Sequence, residues 1–212
     1  MEVPEALWAG LIVGMVIATQ FGAVGALVLE TAVRAGPRAG AAAGLGVASV
    51  DMAYAAGAVV AGGAARAGLA AHQADVKAVA AVILALVGLH GLWTLTRDPS
   101  RDQRAQASTL GDVSRPFGAL SAQYVRFVGL TAINPLTLVY FGSVTASLSL
   151  SGVPQGVAFV AGAGAASAVW HLALSLAAGH ASRRFTPTMQ LAVSVAGRLV
   201  VVVMAIRLAL AV

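Results

Sequence analysis

Asp51 is the one carboxylate set deep within an uncharged, apolar run of the chain. A carboxylate near the middle of a bilayer costs roughly 2.5–3.5 kcal/mol, so such a residue is kept for function or held by a strong partner. It can accept a proton, or act as counter-ion to a substrate ammonium. Arg198, midway along the last apolar segment, is the candidate partner in a structural pair. His171 adds a side chain able to relay protons. A lone histidine in a helix is more often a packing residue, and His90 is read that way.

A second group of residues draws notice through backbone chemistry. The stretch TAINPLTLVYF, Thr131 to Phe141, sets Asn134-Pro135 inside a run with no charged residue from Phe127 to Leu148. Proline removes an N–H donor and clashes with the preceding turn, so the helix must break there. QFGAVG, Gln20 to Gly25, offers a matching interruption through Gly22 and Gly25. A break at membrane depth frees N–H and C=O groups that protein, water or ligand must satisfy. The amino terminus of a half-helix suits a carboxylate. Gln20, Asn134, Ser49, Ser167, Tyr54 and Tyr140 are the uncharged polar residues available to bind a substrate or to bond between helices.

The elements that carry these residues follow from composition. The chain has 212 residues, of which 59% are hydrophobic and 10% charged, and its mean hydropathy is +0.87. A soluble domain of this size has too little interior for that apolar surface, whereas a bilayer accommodates it. The net charge of +5 reflects basic residues gathered in short connections, which fits lipid headgroups and not nucleic acid. There is no cysteine, which removes disulfide and thiolate-metal chemistry, and no metal or cofactor is expected. The first residues carry Glu2 and Glu5 without a basic residue, so no cleavable signal is expected.

Hydropathy predicts six helices: Ala6–Ala35, Ala39–Gly63, Lys77–Thr96, Ala119–Ser149, Gly156–Ala181 and Met189–Val212. The alternation of a barrel strand is absent. Residues 1–212 form one transmembrane domain, with halves 1–96 and 117–212 joined by a polar loop, 97–116. Arg34, Arg38, Arg97, Arg101, Arg104, Arg115, Arg183 and Arg184 fall in alternate connections, which predicts those connections to be cytoplasmic and both termini outside. GLGVAS at Gly44–Ser49 matches GAGAAS at Gly162–Ser167, each in the second helix of its half. Related halves of three helices run in opposite directions, giving two inverted repeats with helices 1 and 4 broken in corresponding positions. Five spans with one re-entrant segment is the alternative. Glu30 and Arg34, four residues apart, read as a pair on the helix surface near its end.

These motifs carry a family likeness. The chain resembles the lysine exporter (LysE) family of bacterial amino-acid export proteins, which includes the homoserine and threonine exporters. The resemblance covers nearly the whole chain. FGAVGALVLETAVRAG, Phe21 to Gly36, has the layout of the family's first-helix break and glycine turn. GVASVD, Gly46 to Asp51, matches the glycine and aspartate of its second helix, and NPLTLVYF, Asn134 to Phe141, the Asn-Pro stretch of its fourth. Trp170 and Gly197 look matched in helices 5 and 6. Phe21 and Ala23 stand where the family has prolines, and Leu136 where a lysine commonly follows Asn-Pro.

The resemblance implies a multi-pass protein of the bacterial inner membrane that exports an amino acid. Together with the residues above it predicts secondary export of a small zwitterionic or cationic metabolite, coupled to protons, by a protein that is not an enzyme. The carboxylate would sit at the broken helices, among Gln20, Gly22, Gly25, Asn134, Pro135 and Tyr140; coupling would fall to Asp51, Arg198 and His171. The alternatives are a passive channel, an assembly subunit, or an exporter of another solute or ion. An intramembrane enzyme fits less well, because His90 and His171 form no catalytic grouping. The small-residue faces would also suit a homo-oligomer.

Overall fold

The computed structural model describes residues 1–20, 22–71, 116–133, 135–145 and 152–210, with residues 148 and 150 and scattered positions between 78 and 93; within some helices, including 61–71, it describes the backbone alone. All regular structure among these residues is helical. Helix α1 (Val3–Thr19) has Pro4 in its first turn, and the Glu2 N–H donates to Glu5 Oε2 at 2.9 Å. α2 spans Ala23–Ala35. It ends at Gly36, whose φ of +89° is a conformation that favours glycine, and Pro37 then opens the 35-residue α3 (Pro37–Ala71). α4 covers Pro116–Ala132 and α5 Pro135–Thr145. α6 runs Val153–Ala181, a 3-10 turn covers Ser182–Arg184, and α7 runs Pro187–Leu210.

The chain stops being helical at both places where Pro or Gly interrupts an apolar run. α1 and α2 meet at an angle of 75° across residues 20–22. α4 ends at Ala132 and α5 begins on Pro135, which tolerates the first helical position because it has no N–H to offer. By length and apolarity three helical stretches among the described residues can cross a membrane: Pro37–Val60, Val153–Ala181 and Pro187–Arg207, with the bent α1–α2 pair a fourth.

Packing is crosswise between the halves. α1 lies along α6, where Gly10 backs onto Phe159 and Gly162 onto Leu7. A methyl group on Gly14 would stand 2.5 Å from the Ala163 carbonyl oxygen. Reciprocally, α3 packs on α4 and α5, and the long helices α3 and α6 pack on each other. Among apolar lipids such contacts are held by close van der Waals packing and not by the hydrophobic effect, which is why small residues line them. Val28, Val47, Phe127 and Val201 form one buried cluster of α2, α3, α4 and α7. Ala55, Phe141, Phe159 and Ala163 form another of α3, α5 and α6. Outside, Trp8, Ile12 and Val16 on α1 and Leu199, Val203 and Ile206 on α7 are exposed, an apolar exterior suited to lipid.

Two side-chain expectations change. Glu30 is buried, not on a surface. It accepts from Arg34 Nη1 at 3.3 Å, and Arg198 reaches it across the bundle with Nη2 at 3.0 Å and Nε at 3.2 Å. Arg198 is therefore the partner of Glu30, and the Asp51–Arg198 pair is not formed. The sequence reading missed this because an i,i+4 pair looks the same on a lipid-facing stripe as on the side of α2 that meets α7.

Candidate functional site

The break between α1 and α2 opens onto a cavity of about 70 Å³, lined by residues from α1 through α6. Gln20 closes α1, with its N–H on the Ile17 carbonyl at 3.2 Å. Gly22 follows in an extended conformation (φ −105°, ψ −166°) and provides no side-chain cap to α2. The first backbone bond of α2 runs from the Ala26 N–H to the Gly22 carbonyl at 3.0 Å. The N–H groups of Ala23, Val24 and Gly25 precede it and have no acceptor within the helix. All three residues line the cavity, so the positive end of α2 faces it.

Opposite lie the titratable groups. Asp51 on α3 is 3% exposed and accepts from Ser167 Oγ of α6 at 2.6 Å. His171, one turn further along α6, places Nδ1 at 2.9 Å from the Ser167 carbonyl and 3.3 Å from Ser167 Oγ. A carbonyl oxygen only accepts, so Nδ1 is the nitrogen that donates here. Ser167 thus joins Asp51 and His171 into one hydrogen-bonded chain, and both titratable side chains line the cavity. The close approach of α3 and α6 makes this contact: a methyl group on Gly44 would stand 2.8 Å from His171 Cβ.

The cavity gathers five of the residues singled out from sequence: Gln20, Gly22, Gly25, Asp51 and His171. Asn134 lies outside the described residues. Pro135 is described as the first residue of α5, without its side chain. Tyr140 is half-buried on α5 and does not line the cavity. Arg198 sits with Glu30. Tyr54 serves the scaffold, since its hydroxyl donates to the Ala132 carbonyl at 2.7 Å and so meets a backbone acceptor at the end of α4. Tyr124 likewise donates to Ser49 Oγ at 2.9 Å, which ties α4 to α3. His90 is exposed beside Trp93, with ring centroids 5.9 Å apart.

Sequence reasoning missed Thr131 and Thr137 as lining residues. They flank Asn134-Pro135 by three residues on one side and by two on the other, so the polar neighbours of the break were the signal. Among the described residues no group of three or more His, Asp or Glu side chains could hold a metal ion.

Apolar membrane helices, one of them broken over a polar cavity, describe a multi-pass membrane protein of the transport class. The model of the LysE type translocator family matches residues 15–211, and the chain belongs to that family. It is thus a translocator, set in a membrane and acting on small solutes. Comparison with curated proteins and with solved structures gave no match.

Proposed function

We propose that the protein exports an amino acid across the bacterial inner membrane in exchange for protons. One observation carries this reading: the uncapped amino terminus of α2 and the Asp51–Ser167–His171 chain border the same small cavity. The first end suits a carboxylate and the second an ammonium or a proton, and an α-amino acid presents both charges a few ångströms apart. Asp51 exchanges the proton, with His171 as relay. The residues at both helix breaks, Asn134 and Pro135 included, enclose the carboxylate.

The surrounding scaffold is proposed to be six spans in two inverted three-helix repeats, with both termini outside. The crosswise packing supports it. α1 on α6 answers α4 on α3, as a two-fold axis in the membrane plane requires. The matching Gly44–Ser49 and Gly162–Ser167 motifs lie on the two helices that pack together nearest such an axis.

Efflux from preloaded cells expressing the protein tests the function, with labelled amino acids and with or without an uncoupler. Uncoupler-sensitive release of an amino acid, lost in Asp51→Asn, is the expected result. Release that ignores both the uncoupler and the substitution would mean a passive channel.

A further inference from the structure

Among the described residues, five buried side-chain polar atoms have no hydrogen-bond partner: those of Gln123, Thr131, Gln155, Ser175 and Ser194. Only Thr131 of these lines the cavity. Its hydroxyl belongs to a residue that is 2% exposed, where an unpaired polar group costs about 1–3 kcal/mol. A threonine in a helix has a ready remedy, which is to donate to the carbonyl four residues earlier. Thr31 does so to Leu27 at 2.8 Å, and Thr145 to Phe141 at 2.7 Å. Thr131 does not, although it too lies on a helix, α4.

The N–H groups of Ala23, Val24 and Gly25, at the start of the 13-residue α2, also border the cavity. Asp51 is the sole acidic side chain among the described lining residues. A cargo with one ammonium is balanced by that carboxylate, whereas a second ammonium on a lysine-like side chain would find no counter-charge there. Apart from Asp51 and His171, the described lining residues carry no ionisable side chain: polar Gln20 and Thr137 stand among apolar Ile17, Ala18, Val24 and Val47.

We infer that Thr131 is a substrate-binding residue, donating its hydroxyl to the cargo carboxylate beside the amino terminus of α2, and that the cargo is a small α-amino acid with an uncharged side chain. This rests on the export reading above and adds to it a binding residue and a charge class. The hydroxyl is held without a protein partner so that the cargo, when bound, provides the acceptor.

The test is exchange in proteoliposomes of the full chain, with labelled L-alanine, L-threonine or L-lysine inside and the same unlabelled amino acid outside. Alanine and threonine should exchange, and lysine at least about tenfold more slowly. Thr131→Val should raise the half-saturating alanine concentration about tenfold with the maximal rate nearly kept, and Thr131→Ser should restore it. A packing role alone would lower the maximal rate through loss of folded protein and leave half-saturation in place. Lysine exchanging as fast as alanine overturns the charge class, and wild-type half-saturation in Thr131→Val overturns the binding role; amino-acid export survives either result. If the wild-type protein exchanges none of the three, the inference and the export reading fall together. Should Thr131→Val not reconstitute, alanine protection against thermal unfolding decides with wild type and Thr131→Ser: equal protection is expected, and its loss in the serine variant overturns the inference.

Discussion

Ser167 does for Asp51 what a buried carboxylate needs, by giving it a donor at 2.6 Å. A hydrogen bond to a charged group contributes about 1.5–3 kcal/mol, and the donor here is itself fully buried. Ser167→Ala should therefore lower the stability of the detergent-solubilised protein by about 2 kcal/mol, read from its thermal unfolding. Asp51→Asn removes the charge while keeping the shape. It should fold at least as well as wild type and lose uncoupler-sensitive efflux, the opposite pattern from a residue kept for packing. Glu30 provides the contrast, because its charge is used structurally. It holds Arg198 at 3.0 Å and Arg34 at 3.3 Å in the interior. Glu30→Gln should cost about 3–5 kcal/mol by the same unfolding assay, and Glu30→Gln with Arg198→Gln less than the sum of the two single changes.

At the scale of elements, the glycines divide into those a neighbour occupies and those facing open space. Gly14 meets the Ala163 backbone of α6, whereas Gly57 on α3 has nothing within 4 Å. Gly14→Ala should destabilise by about 1–3 kcal/mol through forced separation of α1 and α6. Gly57→Ala should be neutral or stabilise by about 0.5–1 kcal/mol, since alanine is the better helix former. Thermal unfolding of the two variants side by side checks the difference. Where two helices break was legible because Pro135 and Gly22 act locally on the backbone, whereas the predicted third helix, Lys77–Thr96, falls largely outside the described residues. The pairing across the bundle was not legible. Arg198 lies 168 positions from Glu30, and no local pattern says which of two buried acids it will meet. Thr131 stayed hidden for a related reason: a threonine in an apolar helix ordinarily satisfies itself, and only its neighbours in space show that this one does not.

For the molecule as a whole, the crosswise contacts make neither half a structure in its own right. Residues 1–96 and 117–212 produced as separate chains in one cell should reassemble and restore efflux, whereas either alone should be degraded. Normal efflux from one half by itself would contradict this. The same contacts set a timetable during synthesis. Gly10 and Gly14 of α1 find their neighbours Phe159 and Ala163 on α6, about 150 residues later in translation, or roughly 7–30 s at ordinary elongation rates. For that interval the first helix waits in the membrane with its closest-packing face uncovered, so the last third of the chain to emerge decides whether the first helix ever acquires its partner.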